Sequence, residues 1–459
     1  MNPPICRKET QMATINLARK VEKDVTHEGA IVRKLTPEQE LRRSVLANLL
    51  WEDTFYEDGV SVTDRIAKAA SKVSADKVSS LALEARKVHG LRHVPLLLLL
   101  DLVKRGGSGV GQTIADTISR VDEITELAAL YWKANPNKDF SAQLKKGLGG
   151  AFNKFNEYQF AKYNRDTEVK LRDVLFLTHP KANNALQQEL FDKIVNDKLT
   201  VPDTWEVALS GGADKKETFE RLISEGKLGY LALLRNLRNM ETASVDRKLV
   251  NQAILARKGA NGVLPFQFLS AMKHAPAYVG SLEEAMLANL QDHPKLNGTT
   301  VVIVDVSGSM QNALGGKSTL NREDAASAVA MILREVSDKV YIYANGTTTK
   351  TVPNRRGLAL QQAIANSGAG HSGIELTPAT RYAKANTPEP IDRVIVITDG
   401  QDTGHGADAP ANALLLGKRN YIINVAPYRT GIGYGPWIAI DGFSEAVVDY
   451  ILAYENAGF

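Results

Sequence analysis

The stretch VVIVDVSGSM, Val301 to Met310, decides the fold of the C-terminal part of this chain of 459 residues. Four apolar residues lead into Asp305, and Ser307 and Ser309 follow at alternating positions. An apolar run without polar alternation is typical of a strand that is buried on both faces, as in a parallel sheet. In extended backbone the side chains of residues i, i+2 and i+4 lie on one side, so we expect the carboxylate and the two hydroxyls to converge where the strand ends.

Strand patterns alternate with helical patterns from residue 296 to the end of the chain. The strand-like runs are TVVIVDV, KVYIYAN, RVIVITDG and YIINVAP, and the helical runs are REDAASAVAMILREVS, LALQQAIANS, PANALLLGKRN and SEAVVDYILAYENA. Strands joined by helices predict a doubly wound parallel α/β sheet with right-handed crossovers. Ligands of such sheets bind at the carboxyl ends of strands, beside a switch in strand order. We therefore expect an α/β domain over residues 296–459 with its site at the end of the first strand.

Helical patterns fill residues 28–295. Apolar residues recur at helical spacing in PEQELRRSVLANLLWED, where Pro37 stands at a helix entry. Similar units are ADKVSSLALEARKVHG, HVPLLLLLDLVKRG, QTIADTISRVDEITELAALYWKAN, NALQQELFDKIVNDKL and KETFERLISEGKLGYLALLRNLRNM. Helices in series that each bury one face usually stack as a solenoid, so we predict an all-α domain of irregular, HEAT-like repeats. Residues 1–27 form an N-terminal tail.

Composition restricts the class of protein. An apolar fraction of 44% and a charged fraction of 24% are ordinary for a globular chain. The apolar run VPLLLLLDLV is interrupted by Asp101 and is shorter than the roughly 18 residues of a membrane span. The N-terminal residues lack a signal-peptide pattern, and Cys6 is the only cysteine, which excludes an internal disulfide. We expect a cytoplasmic, monomeric protein without membrane contact.

Charge is distributed unevenly between the two parts. Residues up to Lys295 carry 43 Lys and Arg against 37 Asp and Glu, and the residues after it carry 13 against 15. A positive helical part raises the expectation of a polyanionic partner, although a solvated surface is the alternative.

Hard oxygen ligands follow two strands of the predicted sheet. Asp399 ends the strand RVIVITDG, at the same edge as Asp305, Ser307 and Ser309. Carboxylates and hydroxyls suit Mg²⁺, which takes few protein ligands and keeps several waters. The alternative is that these residues only cap the turn that follows each strand. Two strands that end in this way favour a metal site.

This part of the chain resembles the von Willebrand factor A-domain, whose metal-ion-dependent adhesion site is written Asp-x-Ser-x-Ser with a later Thr and a later Asp. DVSGSM and ITDG carry the resemblance, which implies Mg²⁺ ligand roles for Asp305, Ser307, Ser309 and Asp399. A further hydroxyl is expected from GAGHSGIELTPATRYA. Ser372 is the leading candidate, Thr377 is the alternative, and a second alignment places Ile374 there. His371 beside them is expected to be a surface histidine.

Taken with this domain, the helical part resembles the TROVE module of the Ro autoantigen family. The resemblance rests on five segments in family order: LRRSVLANLLWEDTFYEDG, LRHVPLLLLLDLV, AKYNRDTEVKLRDVLFLTHPK, GYLALLRNLRNM and LPFQFLSAM. It implies a ring of helical repeats closed by the A-domain. The outer surface of such a ring binds small structured noncoding RNAs called Y RNAs, and its central hole admits single-stranded ends of misfolded RNA. It also implies a role in RNA quality control or processing, with an exoribonuclease as a candidate partner.

One of these segments carries a basic run that fits this expectation. Its cations are Lys162, Arg165, Lys170, Arg172, His179 and Lys181, with Tyr163 among them. Cations contact phosphates and rings stack on unpaired bases. The resemblance assigns Y-RNA contacts to Lys162 and His179, and a family arginine aligns with Asp166, one place from Arg165. A solvated helix face is the alternative reading of the same cations.

A second basic segment is LLRNLRNM. Its polar side chains either line the ring or hold neighbouring turns together, and they are Arg235, Asn236, Arg238 and Asn239.

No catalytic pattern competes with RNA binding. The sequence has no phosphate-cradling Gly-x-x-x-x-Gly-Lys-Ser/Thr loop, and no set of nucleophile and base stands out. We therefore predict a non-enzymatic, RNA-binding scaffold. The alternative is a metal-dependent protein adhesion module without RNA binding, since the α/β domain serves both functions.

Overall fold

The computed structural model describes residues 36–46, 59–87, 90–164, 167–263, 265–291, 295–313, 320–404, 406–425, 437–441 and 447–456. Helices make up this structure as far as residue 291. They are α1 (Pro37–Leu46), α2 (Gly59–Ala70), α3 (Ala75–Lys87), α4 (His93–Arg105), α5 (Val110–Thr117), α6 (Asp122–Ala134), α7 (Ala142–Phe152), α8 (Glu157–Tyr163), α9 (Leu171–Thr178), α10 (Ala185–Val195), α11 (Trp205–Ser210), α12 (Lys215–Ser224), α13 (Tyr230–Thr242), α14 (Arg247–Ala256), α15 (Pro265–His274) and α16 (Val279–Gln291). None of the helices in the ranges given above is long and apolar enough to cross a membrane.

Helices two places apart along the chain pack against each other. Helices α3, α5, α7 and α9 form one such series, α2, α4 and α6 form a second, and α12, α14 and α16 form a third. This alternation between two layers is the packing of stacked helical repeats, in which each unit contacts only its neighbours. The predicted helical-repeat architecture is confirmed.

Helix α13 illustrates why these segments become helices. Tyr230, Leu233, Leu237 and Met240 recur every three or four residues and are all buried. The opposite face carries polar side chains that reach the surface. An amphipathic pattern of this kind is stabilised mainly by the burial of its apolar stripe rather than by intrinsic propensity.

The helical stretch predicted over QTIADTISRVDEITELAALYWKAN is divided into α5 and α6. At the division the buried carboxylate of Glu123 accepts hydrogen bonds from the backbone N–H groups of Ser119 (2.8 Å) and Arg120 (3.1 Å). Arg86 from α3 pairs with the same carboxylate at 2.8 Å. The division has no Gly or Pro to signal it, so periodicity alone missed it.

The C-terminal part is a six-stranded sheet. Its strands are β1 (Leu296–Asp305), β2 (Ser337–Asn345), β3 (Thr349–Thr351), β4 (Arg393–Thr398), β5 (Arg419–Asn424) and β6 (Ile438–Asp441). The order is β3-β2-β1-β4-β5-β6, and all pairs are parallel except β2 with β3. Successive residues of β1 enter apolar clusters on opposite faces of the sheet, because Val301 and Ile303 pack in one cluster and Val302 and Val304 in the other. The predicted doubly wound fold is confirmed.

Four helices accompany the sheet, and two details differ from prediction. They are α17 (Arg322–Val336), α18 (Gly357–Ala365), α19 (Leu376–Asn386) and α20 (Val447–Asn456). The helix predicted over PANALLLGKRN is wrong, since this segment holds only the short 3₁₀ turn Pro410–Asn412 before β5. The short strands β3 and β6 were missed because each pairs only at an edge of the sheet.

Both ends of the helical array contact the α/β domain. Helix α1 packs on β6, and α15 and α16 pack on α17 and α18. Lys273 of α15 forms an ion pair with Asp324 of α17 at 2.5 Å, and the carboxylate of Glu283 in α16 accepts the N–H of Leu358 at 2.7 Å. The helical array is therefore closed into a ring by the α/β domain.

Candidate functional site

The edge of the sheet at the ends of β1 and β4 gathers the predicted oxygen set. Asp305 ends β1 and is fully buried. One of its carboxylate oxygens accepts the N–H of Ser307 at 2.8 Å, and the other accepts the hydroxyl of Thr398 at 2.6 Å. Thr398 and Asp399 lie at the end of β4, the neighbour of β1 at the switch in strand order. The site lies where doubly wound sheets bind their ligands.

The two serines of the set lie close to each other. Their Oγ atoms are 3.1 Å apart. This separation is near the roughly 3 Å edge of an octahedron with Mg–O distances of about 2.1 Å. The turn is held by the loop that contains His371: the N–H of Gly308 donates to the carbonyl of His371 at 2.7 Å, and His371 Nδ1 bonds the carbonyl of Val306 at 2.7 Å. His371 itself is exposed.

Neither predicted source of a further hydroxyl joins this set through a hydrogen bond. Ser372 is exposed, and its Oγ bonds Thr347 Oγ1 at 2.8 Å. Thr377 is fully buried and donates to the carbonyl of Ala409 at 2.7 Å. Ile374 packs in the core. Thr398, which precedes Asp399, is the threonine that contacts Asp305.

An arginine that sequence reasoning did not single out belongs to this site. Arg322 Nη1 donates to Asp399 Oδ2 at 2.8 Å and lies 3.4 Å from the carbonyl oxygen of Ser309. Both side chains are buried, at 3% and 0% relative exposure. Arg322 is the first residue of α17, after Asn321, whose side chain accepts the N–H of Asp324 in a capping box. The cap motif was visible in the sequence, but the partner of Arg322 lies 77 residues away.

The electrostatics of the site follow from burial. Burial raises the pKa of Asp305, and the nearby charge of Asp399 raises it further. Two carboxylates beside one guanidinium leave at most one formal negative charge uncompensated. At an effective dielectric constant of about 20, a divalent ion about 5 Å from a guanidinium is repelled by about 7 kcal/mol. The serine pair fits Mg²⁺, but a carboxylate already paired with Arg322 does not, so the set as a whole does not fit a resident Mg²⁺. The expectation of Mg²⁺ stays a prediction.

The predicted RNA-binding cations lie around α8 and α9, except for Arg165, which falls outside the described residues. Lys162 and Lys181 are exposed, and His179 is exposed at the end of α9 in the left-handed conformation, with φ of 44°. Arg172 is exposed beside Asp173, at 3.7 Å. Lys170 is half-buried at the start of α9, where its N–H donates to Asp173.

Tyr163, expected as a stacking ring, is covered by cations of the protein itself. The Arg120 guanidinium lies 4.7 Å and the Lys162 ammonium 5.8 Å from the ring centroid. Phe176 is the exposed ring of this surface, at 52% relative exposure. Arg172 and Phe176 are four residues apart on α9, so they share one face, and His179 follows at the C-terminal end of the helix. Sequence reasoning missed Phe176 because its neighbours in LRDVLFLT read as core. We call Arg172, Phe176 and His179, together with Lys162 on the preceding helix α8, the α9 surface.

A second basic site lies between α13 and α15. A cavity of about 450 Å³ is lined by Arg235, Arg238, Asn239, Gln267, Ser270 and His274, with Leu320 of the α/β domain at its wall. Arg235 and Arg238 are exposed to it, whereas Asn236 is buried and donates to the carbonyl of Ala232 at 2.9 Å. Each of the two alternatives for this segment applies to part of it. Arg235 and Arg238 line the cavity, and Asn236 stabilises a turn of its own helix.

Comparisons with known proteins agree with this architecture. Residues 195–355 match the TROVE domain family, and residues 299–424 match the Ro60 vWA domain family. The crystal structure of the Deinococcus radiodurans RO (RSR) protein shares the fold, with a TM-score of 0.64 at 16% identity over 92% of this chain and 100% of that one.

Two curated relatives match a short segment only. Telomerase protein component 1 from Mus musculus is 38% identical and that from Rattus norvegicus 37% identical, each over 79 residues. These matches cover 16% of this chain and 3% of either relative's length. The two family models together extend from residue 195 to residue 424 and overlap over residues 299–355, the first part of the α/β domain. The chain belongs to the Ro family of proteins with a TROVE domain and a Ro60-type vWA domain.

Proposed function

We propose that this protein is a non-enzymatic RNA-binding ring that serves RNA quality control or processing in the cytoplasm. It binds small structured, Y-like noncoding RNA on its outer surface and single-stranded ends of misfolded RNA in its interior. Membership of the Ro family supports the proposal. The observation that carries it is the α9 surface, where Arg172 and Phe176 are exposed on one face of α9, with His179 at its C-terminal end and Lys162 exposed on α8.

The α9 surface has the chemistry that structured RNA requires. Lys162 and Arg172 are exposed cations within reach of solvent, and phosphate contacts need little more than that. Phe176 offers a ring on which an unpaired base can stack, and His179 lies at the end of the same helix. Phe176 is 52% exposed, so its ring is accessible to a base without rearrangement of the core. The combination therefore favours a ligand with phosphates and bases.

The cavity between α13 and α15 supports binding of single strands. Arg235 and Arg238 have no ion-pair partner among the residues that the structure describes, and both line the cavity. Cationic grooves that follow the backbone are typical of proteins that hold single-stranded nucleic acid. An RNA end held here is a substrate that an exoribonuclease partner can receive.

Electrophoretic mobility shifts with a hairpin RNA and with a single-stranded RNA test both halves of this proposal. Lys162→Glu with Arg172→Glu should weaken binding of the hairpin by tenfold or more and lower the salt slope by about two, since each lost phosphate contact removes about one unit. Arg235→Glu with Arg238→Glu should weaken binding of the single strand instead. Lys384→Glu, an exposed lysine of α19, is the control.

Two outcomes would count against RNA binding. The first is wild-type affinity that is absent or insensitive to salt. The second is an equal loss of affinity in Lys384→Glu, because any charge reversal would then suffice. The alternative function, metal-dependent adhesion, requires an ion with a position open to a partner's carboxylate, and the pairing of Asp399 with Arg322 gives that mechanism no support.

A further inference from the structure

We infer that Arg322 takes the place of a divalent metal ion among Asp305, Ser307, Ser309 and Asp399, which we call the sheet-edge site. Closure of the ring in this chain is therefore independent of Mg²⁺. The inference concerns the α/β domain and does not depend on RNA binding. It begins from the hydrogen bonds of one guanidinium.

The guanidinium joins the elements that form the site. Arg322 is the first residue of α17. Its guanidinium donates to Asp399 at the end of β4 and lies near the carbonyl oxygen of Ser309 in the turn after β1. A divalent ion bound by both carboxylates would connect the same two strand ends. Arg322 therefore links the ends of β1 and β4, which a bound metal ion would otherwise link.

Burial makes this arrangement difficult to exchange for a metal. Arg322 is 3% exposed and Asp399 is 0% exposed. The guanidinium group of an arginine keeps its positive charge in proteins, so it cannot leave by losing a proton. An incoming ion that took Asp399 would leave a buried guanidinium without its carboxylate, and breaking such a pair is strongly unfavourable. The structure therefore favours a single cation at this edge of the sheet, and that cation is the guanidinium of Arg322.

The same helix turn reaches the helical array. Asp324, two residues after Arg322, pairs with Lys273 of α15 and accepts a hydrogen bond from Gln361 of α18 at 2.8 Å. Asp324 also accepts the N–H of Asn321 at 2.9 Å, which fixes the start of α17. The first turn of α17 therefore contacts the sheet-edge site through Arg322 and the helical array through Asp324. The ion pair of Arg322 with Asp399 fixes this turn without an exchangeable ion.

Thermal unfolding and titration calorimetry with MgCl₂ test the inference on the full chain. Wild type should show no saturable heat of binding, and its Tm in about 10 mM MgCl₂ should equal that in EDTA within about 1 °C. Arg322→Met should unfold at a lower temperature, gain saturable Mg²⁺ binding and recover several degrees of Tm when Mg²⁺ is added. Arg334→Met, which removes an arginine elsewhere on α17, should behave as wild type.

Wild-type protein that binds Mg²⁺ with a rise in Tm would overturn the inference. So would an Arg322→Met variant that folds and remains indifferent to Mg²⁺, because Arg322 would then not be what stands in the ion's place. If Arg322→Met does not fold, Arg322→Lys keeps the positive charge and should remain insensitive to Mg²⁺. Acquisition of Mg²⁺ binding by Arg322→Lys would count against the inference, because a positive charge at this position would then not exclude the ion. RNA affinity is measured separately and does not enter this decision.

Discussion

A pair of an arginine and an aspartate occurs both at the α9 surface, where Asp173 adjoins Arg172, and in the sheet-edge site, but in opposite surroundings. Arg172 lies 3.7 Å from Asp173 with both side chains about half exposed, whereas Arg322 lies 2.8 Å from Asp399 with both buried. An ion pair in water contributes about 0–1 kcal/mol, while breaking a buried pair costs about 3–5 kcal/mol. The exposed arginine is therefore available to a ligand, and the buried one is committed to the fold.

The largest effect is expected at the buried pair. Arg322→Met should lower the free energy of unfolding of the α/β domain by about 3–5 kcal/mol, because Asp399 is left as an unpaired buried charge. Asp399→Asn should have a similar effect for the converse reason. The double variant Arg322→Met with Asp399→Asn should lose clearly less than the sum. Urea unfolding of the four proteins measures this coupling, and strictly additive losses would show that the two side chains do not interact.

A smaller effect, on affinity rather than on stability, is expected at the α9 surface. Phe176→Ala should weaken RNA binding by about 1–3 kcal/mol, the usual contribution of one stacked base. Tm should remain unchanged, since the ring is 52% exposed and contributes little to the core. Leu415→Ala, which truncates a side chain of 48% exposure in the α/β domain, is the matched control for the loss of exposed apolar surface. Equal RNA affinity in the two variants would remove Phe176 from the interface.

An intermediate pair should give an intermediate loss of stability. Lys273 is 41% exposed and its partner Asp324 is 8% exposed. Lys273→Met should cost about 1 kcal/mol, because solvent screens the lysine and Asp324 keeps its bonds to Gln361 and Asn321. Thermal unfolding beside Lys384→Met checks this. A loss as large as that of Arg322→Met would mean that exposure does not set the order of these effects.

The smallest effect is a pH dependence at Glu157. Hydrogen bonds from Lys193 and then from the N–H and hydroxyl of Thr200 lower the pKa of Glu157 to about 2. Since the pKa of this group is lower in the folded than in the unfolded protein, its stabilisation is complete above about pH 4.5 and is lost as the pH falls towards 2. Solvent screening limits the contribution to about 1 kcal/mol or less.

Glu157→Gln isolates that contribution. Its stability should differ from that of wild type at pH 7, and the difference should disappear near pH 2. Glu206→Gln, an exposed glutamate of α11, should show no such convergence. A difference that is constant with pH would mean that Glu157 acts through its shape rather than through its charge.

The order of strands and helices could be predicted from the sequence because periodicity is a local property. VVIVDVSGSM and RVIVITDG each predicted a buried strand that ends in a carboxylate. Because the carboxyl ends of parallel strands lie at one edge of a sheet, Asp305 and Asp399 were expected together there. The boundaries that failed have no local signal in the sequence. No Gly or Pro separates α5 from α6, where Glu123 accepts local N–H groups and pairs with Arg86, and PANALLLGKRN has an apolar pattern although it folds as one 3₁₀ turn followed by non-helical backbone.

By itself the sequence determined which segments bury an apolar face and which residues end each strand, since both follow from the spacing of neighbours along the chain. Only the tertiary structure decided what those residues contact. It placed Arg322 on Asp399 across 77 residues, directed Ser372 and Thr377 to other partners, covered Tyr163 with Arg120 and left Phe176 exposed. The physical reason is that the role of a charge or a ring depends on its burial and on its nearest partner, and both are properties of the packed chain.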